Sequence, residues 1–260
     1  MHILNEIAAY AFKRVQQAES KMSLEAVKEQ ALALPGKKFI FEYALRKPEL
    51  SFICECKKAS PSKGIIADDF PYLKIAQEYE KAGADCISVL TEPKYFLGND
   101  SYLQEIAQAV SIPCLRKDFI VAPYMIYEAR VLGAAAVLLI GSLLTEKELS
   151  EYLAICDSLG MSALVEVHNA AEISMAIHAG ARIIGVNNRN LSDFSIDMAN
   201  SSRLRELVPP EILFVAESGI KTAADVQALR EIGADAVLIG ELLMRAENRS
   251  AMLAELRRGR

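Results

Sequence analysis

The stretch IGADAVLIG, residues 232–240, decides the fold of this chain because its pattern recurs three more times. A Gly-Ala pair precedes a run of mostly apolar residues in KAGADCISVL (81–90), LGAAAVLLIG (132–141) and AGARIIGVNN (179–188). Each copy follows a segment of helical period, such as PYLKIAQEYE (71–80). Glycine ends a helix readily in the left-handed conformation, and a short apolar run after it is typical of a buried strand. The repeat therefore predicts helices that alternate with the strands of a parallel sheet.

Eight candidate strands and a length of 260 residues match the usual size of a closed β/α barrel. The alternative is a doubly wound sheet, which usually carries G-x-G-x-x-G after its first strand. Here KKASPSKG (57–64) stands in that place. We therefore predict the α/β class and a single (β/α)8 barrel, the TIM-barrel fold, over residues 49–260. The candidate strands start near Phe52, Cys86, Pro113, Ala136, Ala163, Ile183, Leu213 and Ala236.

Residues 1–48 precede the first strand and are predicted to form a helical extension, not a second domain. ILNEIAAYAFKRVQQ (3–17) and SLEAVKEQAL (23–32) have helical period, and Ser23 suits the N-cap of the second helix. Because these helices carry apolar faces, we expect them to pack on the barrel and to shield its mouth.

Composition excludes several classes of partner. The net charge of −5 provides no overall basic field for nucleic acid, and no apolar stretch is long enough to span a membrane. The five cysteines and three histidines do not form a metal-binding pattern. We read the cysteines as small buried hydrophobes in a reducing compartment. The expectation is a cytoplasmic protein without metal, nucleic acid or membrane partners, and a monomer, with an oligomer left open.

Charged residues occupy one face of several candidate strands. Side chains alternate across a strand, so Glu55 and Lys57 share a face with Ile53. In each such strand the polar residue lies nearer the carboxyl end, where β/α barrels have their active sites. Unpaired buried charges cost several kcal/mol each, so this clustering predicts mutual pairing or a ligand. The same parity selects Lys117, Glu166, Asn187, Arg189 and Glu217 on other strands.

Two glycine turns follow the last two candidate strands. ESGIK (217–221) and IGELLM (239–244) stand where this fold usually binds phosphate through backbone N–H groups. Thr222 and Asp225 are spaced as a capping pair for the helix after the first turn. We therefore predict a phosphorylated small-molecule substrate, with Lys57 as a cation for its phosphate.

Taken together, the motifs resemble those of the indole-3-glycerol-phosphate synthase family in order and spacing, from the N-terminal helices to about Met244. The resemblance implies an enzyme of tryptophan biosynthesis, a carboxy-lyase that needs no metal or organic cofactor. It would close the indole ring of 1-(2-carboxyphenylamino)-1-deoxyribulose 5-phosphate, releasing CO2 and water. The motifs are ECKKASPSKG (55–64), RKDFIVAPYMIYEAR (116–130), LVEVHN (164–169), GVNNRNL (185–191), AESGI (216–220) and LIGELLM (238–244).

The resemblance also implies residue roles. Lys117 is the general acid toward the substrate carbonyl, and Glu166 is a general base or acid. Glu55 and Lys57 assist dehydration, and Lys57 also contacts the phosphate. Further catalytic positions are Asn187, Glu217 and Ser218, the substrate pocket comprises Ser60, Pro61, Phe96, Phe119, Leu138, Arg189 and Leu191, and the phosphate loops contain Gly219, Gly240 and Glu241.

Two expectations concern electrostatics. Lys117 can act as an acid if burial and neighbouring cations lower its pKa. Glu241 replaces the serine that many family members have, and a carboxylate would repel phosphate. We expect only its backbone N–H to bind phosphate and its side chain to turn away.

Two other functions remain as alternatives. A phosphoribosylanthranilate isomerase barrel would need an Asp/Cys acid–base pair, whereas the inward positions here are lysines and glutamates. A non-catalytic barrel that binds phosphorylated ligands would not need the full set of proton donors and acceptors.

Overall fold

A closed barrel of eight parallel strands forms the body of the protein and confirms the predicted fold class. The computed structural model describes residues 3–36, 38–190 and 193–258. Every barrel strand begins within one residue of its predicted start. In chain order the strands are β1 (Ser51–Cys56), β2 (Cys86–Leu90), β3 (Cys114–Lys117), β4 (Ala136–Ile140), β5 (Ser162–Val167), β6 (Ile183–Asn187), β7 (Leu213–Glu217) and β8 (Ala236–Ile239).

The barrel closes between its first and last strands. Ser51 of β1 pairs with Ala236 of β8, and Ile53 of β1 pairs with Cys86 of β2. Each remaining strand pairs with its neighbours in sequence. This register brings the carboxyl ends of all eight strands to one mouth. There, a short hairpin of two strands, each two residues long, follows β1.

Helices alternate with the strands and cover the outside of the barrel. The glycine of each sequence repeat has φ between +77° and +94° and ends the helix before β2, β4, β6 or β8. Only glycine adopts this conformation without strain, which explains the repeat. The helices between and after the strands are Tyr72–Lys81, Asp100–Ala109, Pro123–Val131, Glu146–Ser158, Ala170–Ala179, Ala199–Arg205, Ala223–Glu231, Glu241–Arg245 and Arg249–Arg258, with a 3-10 turn at Gly141–Leu143.

Three helices precede β1. The helix α1 (Ile3–Glu19) buries Ile7, Ala11 and Val15, and α2 (Leu24–Ala33) begins at Ser23, whose Oγ accepts a hydrogen bond from the Ala26 N–H. Both helices pack against the helix that follows β3.

The helix α3 (Ile40–Leu45) covers the amino end of the barrel. Its Phe41 and Leu45 are fully buried, and the Glu42 N–H donates to Ser162 Oγ at the start of β5 (3.2 Å). Within the described residues, the structure contains no helix long and apolar enough to cross a membrane.

The helix after β3 lacks the side-chain cap that four of the other barrel helices have. Thr145 and Thr222 each form a capping box, whereas the helix Pro123–Val131 begins at Ala122, which has no side-chain oxygen to accept from its first turn. Ala122 already has the extended backbone of an N-cap residue, with φ −151° and ψ 150°. A capping side chain therefore fits without a change of backbone.

We expect Ala122→Asp to raise the free energy of unfolding by about 1 kcal/mol, since it satisfies a backbone N–H of the first turn. Urea denaturation measures the change, and Thr222→Ala is the matched control, expected to lower the same quantity by a similar amount. An Ala122→Asp variant no more stable than the parent protein would contradict the assignment of Ala122 as an N-cap position that can accept a capping side chain.

Candidate active site

One cavity of about 410 Å³ lies at the carboxyl ends of the strands and collects the residues selected from sequence. Of the seventeen predicted site residues, sixteen line it, and Leu191 lies outside the described residues. The sixteen are Glu55, Lys57, Ser60, Pro61, Phe96, Lys117, Phe119, Leu138, Glu166, Asn187, Arg189, Glu217, Ser218, Gly219, Gly240 and Glu241.

Lys117 lies among carboxylates at the centre of the cavity. Its Nζ is 3.3 Å from Glu166 Oε2 and 3.7 Å from Glu217 Oε2. Gly185 makes room for this cluster, because a Cβ at that position would lie 2.2 Å from Glu217 Oε1. A second ion pair joins Lys57 Nζ to Glu55 Oε2 at 2.5 Å. Glu55 lies on β1, and Lys57 follows the end of that strand.

The surroundings of Lys117 do not lower its pKa. Burial alone would lower the pKa, but the negative charges of Glu166, Glu217 and Glu55 outweigh it and raise the pKa above its ordinary value. The neighbours that face Lys117 across the barrel are carboxylates and not cations. Lys117 is therefore firmly protonated in the free protein.

The pKa values of the two glutamates beside Lys117 are shifted in opposite directions. Burial would raise the pKa of Glu166, but Lys117, His168 and Asn187 hold it below its ordinary value. Burial raises the pKa of Glu217, and the negative charge of Glu166 raises it further despite Lys117. The site thus offers one ionised carboxylate and one neutral carboxyl, which is how neighbouring groups take the roles of base and acid.

Two glycine turns border the other end of the cavity. Gly219 has φ +87°, and a Cβ there would lie 2.4 Å from Met198 Sδ. A Cβ at Gly240 would lie 2.2 Å from Glu55 Oε2 and 3.0 Å from Lys57 Nζ. A side chain at either position would displace these neighbours, and Gly240 lies beside the Lys57 ammonium.

The Glu241 side chain is paired with two cations. Its Oε1 lies 3.5 Å from Lys63 Nζ and 3.4 Å from Arg245 Nε. Lys63 belongs to the loop after β1, and Arg245 lies one helical turn beyond Glu241. The two pairs offset the negative charge that replaces serine here, while Lys63 and Arg245 also line the cavity.

The opposite wall of the cavity is apolar. The rings of Phe96 and Phe119 lie 5.9 Å apart between centroids. The sequence analysis expected the N-terminal helices to shield the mouth but did not identify which residues do so. Ile3, Leu4 and Ile7 of α1 line the cavity, and helical spacing alone does not state which apolar residues reach it.

A buried ion pair joins α1 to the catalytic strand. Arg14 Nη2 and Nη1 donate to the two Asp118 carboxylate oxygens at 2.6 and 3.1 Å, and the Asp118 side chain is fully buried. Asp118 also accepts from Thr91 Oγ1 (2.6 Å) and from the Phe119 N–H (2.8 Å). Because Asp118 stands between Lys117 and Phe119 in the chain, Arg14 fixes the backbone that carries both.

The described residues include neither a metal-binding cluster nor a reactive thiol. Among the residues that the structure describes, no group of three or more His, Cys, Asp or Glu side chains is arranged to hold a metal ion. The five cysteines are buried, and none of them forms a disulfide. Burial raises the pKa of the Cys54, Cys56, Cys86 and Cys156 thiols, so these remain protonated.

Comparison with known proteins identifies close relatives. A family model described as indole-3-glycerol phosphate synthase matches residues 4–256. Proteins of that name from Ruminiclostridium cellulolyticum and Endomicrobium trichonymphae are 57% and 53% identical over 256 residues, covering 98% of this chain and 98% and 99% of theirs. The namesake from Lachnoclostridium phytofermentans is 49% identical, with 98% of each chain covered.

Solved structures support the fold alone. The 3-hexulose-6-phosphate synthase of Salmonella typhimurium superposes with a TM-score of 0.67 at 13% identity, over 81% of this chain and 98% of that one. A second 3-hexulose-6-phosphate synthase superposes with a TM-score of 0.64 at 16% identity, over 81% and 99%. These proteins share the barrel, and their own activity is not transferred to this chain.

We expect Glu241→Gln to bind inorganic phosphate about 2–5-fold more tightly, because partly exposed ion pairs are worth up to about 1 kcal/mol and their loss frees Lys63 and Arg245 for an anion. Isothermal calorimetry measures the affinity. Glu231→Gln, which removes the same charge at an exposed position, is the control. Equal or weaker phosphate binding in Glu241→Gln would show that these cations do not face the anion.

We expect Arg14→Met to lower the free energy of unfolding by about 3 kcal/mol at pH 7, because Asp118 then keeps a buried charge without its main partner. Exposed Lys13→Met on the same helix is the control.

The difference between the parent protein and Arg14→Met has a defined pH dependence. Burial opposes ionisation of Asp118, but Arg14 and Arg116 hold its pKa below the ordinary value. The Arg14–Asp118 pair therefore contributes fully to the free energy of unfolding above about pH 4. Its contribution is lost as the pH falls through the lower pKa of Asp118 in the folded protein. Urea denaturation between pH 7 and pH 3 measures this, and a difference that grows as pH falls would contradict the assignment.

Proposed function

Because the chain belongs to the indole-3-glycerol phosphate synthase family, we propose that the barrel cavity carries out this family's reaction. The substrate is 1-(2-carboxyphenylamino)-1-deoxyribulose 5-phosphate, and the products are indole-3-glycerol phosphate, CO2 and water. The protein is thus a carboxy-lyase of tryptophan biosynthesis. The observation that carries the assignment of roles is the cluster of Lys117, Glu166 and Glu217, enclosed between an apolar wall and two glycine loops.

The two ends of the cavity suit the two ends of the substrate. The phosphate binds at Gly219 and Gly240 through backbone N–H groups and the Lys57 ammonium. The aromatic ring packs against Phe96 and Phe119, and its carboxylate faces Arg189. The ketone then lies over the central cluster, since it is between the ring and the phosphate in the substrate's chain.

Ring closure requires a proton at the ketone oxygen while the aromatic carbon that bears the carboxylate attacks the ketone carbon. Lys117 supplies this proton as general acid. Its raised pKa in the free protein keeps it protonated until a strongly basic alkoxide develops. Its positive charge also stabilises that oxyanion in a site shielded from water.

Loss of CO2 and then of water completes the aromatic ring. The new hydroxyl leaves as water after it receives a second proton, and a ring carbon gives up one proton to a base. Glu166, ionised beside Lys117 and His168, suits the base. Glu217, whose pKa is raised, and the Lys57–Glu55 pair are the available acids.

The N-terminal extension, residues 1–48, acts together with the barrel, residues 49–260, as one catalytic unit. Its Ile3, Leu4 and Ile7 line the cavity, and its Arg14 fixes Asp118. We propose that the protein acts as a monomer in the cytoplasm, because this chain supplies the charge cluster, the apolar wall and the glycine loops of the cavity. Buried cysteines that form no disulfide suit a reducing compartment.

The function is tested by adding the aryl-amino ribulose phosphate and following the fluorescence of the indole product. We expect turnover by the protein alone. Isomerisation of phosphoribosylanthranilate without any indole signal would instead favour the isomerase, and binding without turnover would favour a non-catalytic barrel.

We expect Lys117→Met to lower the single-turnover rate of indole formation by at least ~100-fold, because general acid catalysis contributes ~10²–10⁴-fold and oxyanion stabilisation adds to it. Glu166→Gln keeps the shape but cannot exchange a proton. We expect a smaller loss there if Glu55 substitutes.

Binding of a substrate analogue is measured beside the rate, and we expect both variants to retain it. Lys147→Met, an exposed lysine on the outer surface, is the control. Should Lys117→Met keep more than about a tenth of the parent rate, below the range for loss of a general acid, Lys57 becomes the acid.

A further inference from the structure

One buried residue of the motif GVNNRNL (185–191) has no part in the mechanism above. Asn188 follows β6 directly and is 3% exposed. Its neighbours Asn187 and Arg189 line the substrate cavity, whereas Asn188 lines only a second, polar cavity of about 630 Å³. A buried polar side chain costs free energy unless its groups are hydrogen-bonded. The partners of the Asn188 amide therefore show what this residue holds in place.

The Asn188 amide joins two elements of the barrel. Its Oδ1 accepts from the Ser201 N–H at 3.0 Å and from the Ser201 Oγ–H at 2.8 Å, in the helix Ala199–Arg205. Its Nδ2 donates to the Ser218 backbone oxygen at 3.3 Å. The orientation of the amide is unambiguous, because a backbone N–H can only donate and a carbonyl oxygen can only accept. Asparagine suits this position since it presents an acceptor to one neighbour and a donor to the other.

The carbonyl that Asn188 holds belongs to a strained turn. Ser218 has φ +66° and Gly219 has φ +87°. The left-handed conformation costs free energy for a residue with a Cβ, such as Ser218, and persists only where the surroundings hold it. Asn188 provides two such contacts, because its backbone N–H also donates to the Glu217 oxygen at 2.9 Å. The turn is thus anchored at two successive carbonyls.

The hydrogen bond to the Ser218 oxygen also sets the direction of the Gly219 N–H. Both groups belong to one peptide unit, which is trans like the others in the described part of the chain. In a trans peptide the C=O and the N–H point in opposite directions. Ser218 and Gly219 line the substrate cavity, whereas Asn188 lines the polar cavity. With its carbonyl held toward Asn188, this peptide presents the Gly219 N–H to the substrate cavity.

Other contacts with the turn are apolar. A Cβ at Gly219 would lie 2.7 Å from Ile196 Cγ2 and 2.4 Å from Met198 Sδ. These side chains come from the same connection after β6 and press on the turn, but hydrophobic contact is non-directional. It keeps the turn in place without fixing how the peptide is rotated. The Asn188 amide is the contact that supplies a direction.

We propose that Asn188 is a positioning residue for the phosphate group, because its amide holds the Ser218 carbonyl so that the Gly219 N–H points at the substrate phosphate. An N–H that is already oriented binds an anion without a reorganisation of the loop. The proposal rests on the function proposed above, in which the phosphate binds at Gly219, and adds the residue that prepares this contact. Asn188 itself does not touch the substrate.

The first experiment uses inorganic phosphate and needs no turnover. The dipeptide Ser-Gly occurs once in the chain, at 218–219. Selective labelling of serine carbonyl carbon and glycine nitrogen therefore gives one NMR amide signal, which belongs to Gly219. We expect phosphate to move this signal in the parent protein, because the N–H gains a charged acceptor.

The decisive variant is Asn188→Asp, which keeps an acceptor for Ser201 but turns an oxygen toward the Ser218 carbonyl. We expect the movement of the Gly219 signal to be lost in this variant, even at saturating phosphate. Ser201→Ala removes a hydrogen bond from the other side of the Asn188 amide, and we expect its Gly219 signal to move as in the parent protein. A full movement in folded Asn188→Asp, or its loss in both variants, would overturn the proposal.

Calorimetry measures the affinity for inorganic phosphate. We expect Asn188→Asp to bind it about tenfold more weakly, since a hydrogen bond to a charged group contributes about that much. Asn200→Asp is the matched control for the added charge. Asn200 lines the same polar cavity but donates to the His168 oxygen (3.5 Å), and we expect its variant to bind phosphate as the parent does. Equal weakening in both variants would assign the effect to charge and overturn the proposal.

A neutral variant covers the case in which Asn188→Asp does not fold. Asn188→Ala removes the same donor without adding a charge, and we expect the same loss of the Gly219 movement and a similar loss of affinity. Parent-like phosphate binding in folded Asn188→Ala would equally overturn the proposal.

Turnover gives an independent measurement. We expect the KM of Asn188→Ala to rise about tenfold with kcat little changed, which is the pattern for loss of binding shared by ground and transition states. The charge cluster around Lys117 is not altered in this variant. A fall in kcat at unchanged KM would overturn the proposal. If the parent protein forms no indole product, the proposed function fails, whereas the phosphate measurements still decide the role of Asn188.

Discussion

The charge cluster around Lys117 is the constraint on which the site depends. The Lys117 ammonium lies within 3.7 Å of a carboxyl group from each of two other strands in a buried space. Such a group is tolerable only if its members are held where each charge meets its partner. A closed parallel barrel meets that condition, because hydrogen-bonded strands fix the height of every inward side chain. Gly185 shows how closely the frame is fitted, since any side chain there would displace Glu217.

The fold and the residues that form the site could be predicted from the sequence, because both follow from local patterns. Left-handed glycines mark helix ends, and alternation along a strand states which side chains share a face, so Glu55, Lys117 and Glu166 were found together. The pKa of Lys117 could not be predicted from the sequence, because it depends on what faces it across the barrel. The ion pair between Arg14 and Asp118 joins positions 104 residues apart, and nothing local in the sequence signals it.

The N-terminal extension has a physical role beyond covering the mouth. Asp118 is fully buried, and without Arg14 its charge would lack its closest cation. The catalytic strand and α1 are therefore stabilised together, and the positions of Lys117 and Phe119 depend on a helix that is separate from the barrel in sequence.

Barrel closure also bears on how this protein behaves at high concentration. Open sheets end in strands with unpaired N–H and C=O groups, which can template intermolecular pairing and aggregation. Here β1 is paired on one side with β2 and on the other with β8, so the barrel sheet has no edge. Among the described residues, the two-residue hairpin Ala59–Ser60 and Gly64–Ile65 is the other sheet, and it is too short to recruit a second chain. Closure that fixes catalytic geometry thus also protects the native protein against assembly into fibres.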